Sequence, residues 1–196
     1  MNAFDALGLP QRLTLTQEEI ETAWRAAGKA HHPDAGGDEQ KFSVIREAKA
    51  TLASPASRLA HWLEIHGENP DPRGTIDAEI MDLFAPVGEV VQQADALARR
   101  RATATTALGQ AMLEGETLRT RENVEAMITR IDAAISTQCV PFSQWESNES
   151  APAVKEKSPP AAKEKSPPTA QAAALRNLRF LGKWKRALMA AYAGLA

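Results

Sequence analysis

Apolar side chains recur at helical period along most of this chain. Phe4 and Leu7 share one face of a short helix that Gly8 ends and Pro10 keeps from resuming. Ile20, Ala23, Trp24, Ala27 and His31 mark the inner stripe of a second helix, preceded by Thr16 and Glu19 at capping-box spacing. Gly28 inside that helix costs roughly 1 kcal/mol against alanine, which packing has to offset. Phe42, Ile45, Ala48 and Leu52 predict a third helix with Asp38 as its cap. Ser54-Pro55 reads as an N-cap followed by proline at the first helical position. Leu59, Trp62 and Leu63 then carry the apolar face of a fourth helix, closed by Gly67. Short connections make these four a compact antiparallel unit over residues 1–67.

Proline and glycine allow no regular element in the connector 68–76. From Asp77 a short helix presents Ile80, Met81, Leu83 and Phe84, and Pro86 either kinks it or begins a new one. Val87, Val90, Val91, Ala94, Leu97, Leu108 and Met112 predict one long helix. Val124, Met127, Ile128, Ile131 and Ile135 predict another, with Thr120 as its cap. The pattern returns at Leu175, Leu178, Leu181, Trp184, Leu188 and Tyr192. That helix is too apolar to stand alone, so residues 171–196 are expected to pack back on 77–142 as one antiparallel bundle. The expected fold class is all-α.

Between them, residues 143–170 change character. Lys155-Glu156-Lys157-Ser158-Pro159-Pro160 recurs as Lys163-Glu164-Lys165-Ser166-Pro167-Pro168. Proline and charge at that density cannot bury a core, so a disordered insertion is expected.

Composition narrows the function classes. A hydrophobic share of 43% suits a globular chain, and a formal net charge of −2 gives no nucleic-acid or membrane-surface signature. Arg99-Arg100-Arg101 reads as a solvated helix edge. The single cysteine, Cys139, excludes an internal disulfide and a thiolate-rich zinc site, and reads as a small half-buried residue. No basic region followed by an apolar run opens the chain, and no stretch approaches the ~20 apolar residues of a membrane span. A cytoplasmic protein is the expectation.

The chemistry-bearing stretch is Ala30-His31-His32-Pro33-Asp34-Ala35-Gly36-Gly37. Proline stops the second helix, the glycines let the chain reverse, and a histidine and a carboxylate are left at the tip of a helical hairpin. His31 and His32 fall on opposite helix faces, so with Asp34, His61 and His66 they do not converge as zinc ligands. No nucleophile or cleft accompanies the His–Asp pair, so neither an enzyme nor a metal or other cofactor is expected. Tips of this kind serve partner contact. Arg25 and Lys29 lie on the helix face that leads to His32.

His32-Pro33-Asp34 between two amphipathic helices, Arg25 and Lys29 before it, and Phe42, Ile45, Ala48, Leu52, Pro55 and Arg58 after it resemble the J domain. The match covers about residues 2–66. The run from Arg58 to Gly67, the opening Phe4-Asp5-Ala6-Leu7-Gly8-Leu9-Pro10, and Leu175 to Trp184 narrow the resemblance to the HscB family of iron–sulfur cluster co-chaperones. The resemblance implies that residues 1–67 are a J domain. His32, Pro33, Asp34, Arg25 and Lys29 would dock on an HscA/DnaK-type chaperone and trigger its ATPase. It also implies that Ile80, Met81, Phe84 and Phe180 bind a client, an IscU-type cluster scaffold. Ala85 and Gly88 stand where the family places acidic residues. A J-domain adaptor for an unrelated client is the alternative. For all four client-face residues the opposing expectation is a place in the bundle core.

Overall fold

The computed structural model describes residues 2–31, 38–70, 73–149 and 170–195. Among these the helices are α1 (Ala3–Leu7), α2 (Gln17–His31), α3 (Glu39–Ala53), α4 (Pro55–Ile65), α5 (Ala78–Met81), α6 (Phe84–Thr103), α7 (Ala107–Cys139), α8 (Phe142–Glu149) and α9 (Ala170–Ala193). The fold is all-α, as the periodicity predicts. Two compact units divide it. One is Met1–Gly74 with Cys139–Arg176, the other Thr75–Gln138 with Asn177–Ala196.

In the first unit α1, α2 and α4 pack on α3. The sequence signals for their ends are realised as hydrogen bonds. Asn2 Oδ1 accepts from the Asp5 N–H at 2.9 Å, and Gly8 closes α1 at φ 64°. Thr16 Oγ1 accepts from the Glu19 N–H at 3.2 Å, while the Glu19 carboxylate accepts from the Thr16 N–H at 2.7 Å. Asp38 caps α3 through the Gln40 and Lys41 amides. Ser54 caps α4, with Pro55 at its first position. Phe4, Leu13, Leu15, Ile20, Ile45, Leu52, Leu59, Trp62 and Leu63 make the core.

Arg58 enters that core as its one buried cation among the first four helices. Its Nη1 donates to the Leu15 carbonyl at 2.9 Å and the Leu52 carbonyl at 3.1 Å. It thereby joins the segment before α2, the end of α3 and α4. Burial lowers its pKa from the ordinary arginine value, and the opposing pull of Cys139 and Glu146 is smaller.

The expected domain map differs at its last boundary. Cys139–Arg176 group with the first unit. Residues 143–149, expected within the irregular insertion, belong to the helix Phe142–Glu149, with Phe142 buried and its ring tilted against Trp145 at 5.6 Å. The Glu146 carboxylate accepts from the Thr14 N–H at 2.7 Å and from its hydroxyl at 3.0 Å. An apolar anchor and a carboxylate with two donors therefore fix α8, despite its polar composition. The Lys-Glu-Lys-Ser-Pro-Pro repeats lie outside the described residues.

In the second unit Ile80, Val87, Ala94, Leu97, Val124, Met127, Ile131, Leu181, Trp184, Leu188, Ala191 and Leu195 form one core. The helix expected to run through Met112 ends at Thr103 instead, and α7 begins at Ala107. Leu108 and Met112 lie on α7 and are exposed at 73% and 76%. Thr120 is not a cap. Its hydroxyl donates to the Glu116 carbonyl inside an unbroken α7. Asn177 is fully buried, and its amide group ties three elements. Its Nδ2 donates to Asp77 at 2.7 Å and to Gln138 at 3.0 Å, while its Oδ1 accepts from the Asp77 N–H at 3.3 Å.

Candidate functional sites

Arg25 and Lys29 stand exposed on α2, four residues apart and so on one face. Ala26 and Ala30 beside them are exposed as well. This face is held by contacts on the flank of the same helix. Glu21 pairs with Lys49 of α3 at 2.9 Å, and Lys49 Nζ lies 3.7 Å over the ring of Trp24. The hydrogen bond from Lys49 is the largest influence on Glu21 and lowers its pKa from the usual carboxylate value. Trp24, read as a core aromatic, is half-buried beneath Lys49. His32, Pro33 and Asp34 lie outside the described residues.

The other histidines have packing roles. His61 Nε2 accepts from the Ala3 N–H at 2.9 Å, and its ring stacks on Phe4 at 5.9 Å. The His66 ring bonds the Trp62 carbonyl at 2.7 Å through Nδ1. His31 is half-buried at the end of α2. Cys139 is half-buried, and burial raises its pKa above the ordinary thiol value while Arg58 pulls it back.

The four residues of the expected client face divide. Ile80 is 4% exposed and belongs to the core of the second unit, so it leaves the surface set. The reason is the turn at Asp82 and Leu83 between α5 and α6, which interrupts the four-residue register on which Ile80 and Phe84 would share a face. Met81, Phe84 and Phe180 are exposed at 46%, 59% and 42%. Phe84 and Phe180 both lean on Trp184, with ring centroids 6.1 Å and 6.0 Å from it. Two exposed rings on one buried indole make an apolar surface patch, and Met81, three positions before Phe84, is exposed as well. Neither Arg58 nor Asn177 was marked as a structural tie by the sequence pattern. A buried polar residue inside an apolar run was the available signal for Asn177.

Residues 2–61 match the family described as DnaJ domain. The co-chaperone protein HscB homolog of Chromobacterium violaceum is 34% identical over 73 residues, 33% of this chain and 42% of that protein. Chaperone protein dnaJ A6 of Oryza sativa subsp. japonica is 36% identical over 55 residues, 28% of this chain and 13% of that protein. The chain thus spans less than half the length of these curated relatives. Chaperone HscB from Vibrio cholerae shares the fold with a TM-score of 0.55 and 21% identity, covering 100% of both chains. Residues 2–61 thus match the DnaJ domain, and the chain as a whole shares the fold of a solved HscB structure.

Proposed function

We propose that this chain is a co-chaperone that stimulates the ATPase of an HscA/DnaK-type chaperone and delivers to it a client, an IscU-type iron–sulfur cluster scaffold. The observation that carries the reading is the DnaJ-domain match over residues 2–61, with His32-Pro33-Asp34 following an α2 face that exposes Arg25 and Lys29. Docking through that face and loop would favour the hydrolysis-competent state of the chaperone, a coupling between two binding events. A client held at Met81, Phe84 and Phe180 would be presented at raised effective concentration by tethering. The chain itself supplies no catalytic group to the hydrolysis. The test is single-turnover ATP hydrolysis by a DnaK-type chaperone with and without the protein. Wild type accelerates it and His32→Gln does not, with helical circular dichroism unchanged. Equal acceleration by His32→Gln would remove the J-domain mechanism. A second reading, an adaptor for an unrelated client, is favoured by Ala85 and Gly88, which leave the patch without the family's acidic neighbours.

A further inference from the structure

The first half of α7 carries an apolar face that stands open to solvent. Leu108, Met112 and Leu118 are exposed at 73%, 76% and 61%, and Ala111 and Gly115 between them are exposed as well. On the unbroken helix all five fall within about 60° of the direction of Gly115, while Glu114 and Glu116 fall about 100° to either side. Glycine in a helix interior is less favourable than alanine. The single chain gives no reason for it here, because a Cβ built on Gly115 meets nothing within 4 Å. At Gly109, by contrast, a Cβ would lie 3.0 Å from Thr106 Oγ1. An exposed glycine with large apolar side chains a turn away on both sides suits a second helix crossing at close range.

We infer that the occupant is the same face of a second copy of this chain, with the two α7 helices antiparallel about a two-fold axis through Gly115. Such an axis opposes residues equally far before and after Gly115. Met112 and Leu118, three positions to either side, then meet twice across it. Ala111 receives the aliphatic stem of Arg119, and Leu108 that of Glu122. The charges agree with this pairing. Arg119 Nε donates to the Gly115 carbonyl at 3.1 Å, which keeps its guanidinium beside the crossing. There it comes within about one turn of Glu114 of the second copy. Neither Glu114 nor Arg119 has an ion-pair partner among the described residues. A parallel pairing would set Glu114 against Glu114 instead. One helix crossing lies at the low end of interface sizes, so a dissociation constant on the order of 10–100 μM is expected.

Sedimentation equilibrium of the full chain, from about a tenth of that concentration to ten times above it, is the test. Wild type should shift from monomer to dimer. Met112→Glu with Leu118→Glu should raise the dissociation constant at least about tenfold, with circular dichroism unchanged because both side chains are exposed. Glu114→Arg and Arg119→Glu should each weaken the dimer, and the two combined should restore it. Should the double glutamate variant unfold, Gly115→Cys in a Cys139→Ser background reads the same contact. Mild oxidation should join two copies through residue 115, since the axis brings those backbones together. A wild type that stays monomeric throughout overturns the inference and leaves the face to a different protein. A dimer that the folded double glutamate variant still forms overturns it too, because another surface then makes the contact. A combined charge swap as weak as either single one, or no disulfide at residue 115, overturns the antiparallel pairing.

Discussion

Phe180 meets Trp184 edge-on at 6.0 Å, one turn apart on α9, and the two rings have opposite fates. Trp184 is 7% exposed and belongs to the core, while Phe180 is 42% exposed. The boundary between core and surface therefore runs between two aromatic residues four positions apart. Mutations on its two sides should separate stability from binding.

Met81→Ala with Phe84→Ala should leave the protein folded, because exposed side chains contribute within about 0.5 kcal/mol each. The double variant should lose client binding, since central anchors of a docking patch typically contribute ~2 kcal/mol or more. Ile80→Ala should do the reverse, losing about 2–4 kcal/mol of stability as a buried aliphatic truncation. Thermal melts and titration calorimetry on the two proteins make the comparison. A double variant that unfolds would place Met81 and Phe84 in the core.

Arg58→Ala should destabilise the first unit by about 2–4 kcal/mol, because the Leu15 and Leu52 carbonyls lose their donor in a buried site. Arg58→Lys should recover part of the loss, since one ammonium cannot reproduce the reach of the guanidinium fork. Urea unfolding followed by tryptophan fluorescence gives both numbers. A neutral Arg58→Ala would mean that water replaces both bonds without cost.

Gly28→Ala should stabilise the protein by about 0.5–1 kcal/mol. Gly28 is buried on α2, yet an added Cβ would meet only Phe42 at 3.9 Å, an ordinary van der Waals distance. Packing therefore does not require glycine there, contrary to what its position in the pattern implies. A lower melting temperature for the alanine variant would show that α2 and α3 close more tightly than that distance.

The capping box of α2 should show as a pH-dependent contribution. The backbone hydrogen bond from Thr16 is the largest cause that lowers the Glu19 pKa from the usual 4.5. A depressed carboxyl stabilises the fold above its unfolded value and loses that contribution as pH falls through its folded value. The difference in melting temperature between wild type and Glu19→Ala should therefore be full near neutrality and shrink at pH below 4.5. A difference that holds constant into acid would show that the carboxylate charge does not matter to the cap.

Where caps and stripes agree, the sequence is a good guide. Helices α2, α3 and α4 begin at Thr16, Asp38 and Ser54 as their spacing predicts, and their apolar faces supply the core of the first unit. Where one apolar residue follows another at the right period but no cap is visible, the pattern misleads. Leu108 and Met112 continue the stripe of α6 on paper. The break at 104–106 contains no glycine or proline, only Ala104, Thr105 and Thr106, the last accepting the Gly109 N–H at 3.1 Å. At the candidate client face the same limit applies. Spacing puts Ile80 and Phe84 together, and a two-residue turn separates them. The helix α8 was hidden because Pro141 and a polar run suggest a loop, and its anchors lie far back in the chain.

Those anchors bear on how the protein is made. Glu146 bonds Thr14 across 132 positions of sequence, and Phe142 is buried in the unit that begins with the first helix. At a synthesis rate of about 5–20 residues per second, several seconds pass between the emergence of α4 and that of α8. During that interval the helices of the DnaJ domain are out of the ribosome while Thr14 still lacks its carboxylate partner. Completion of the first unit is thus timed by translation of the second half of the chain.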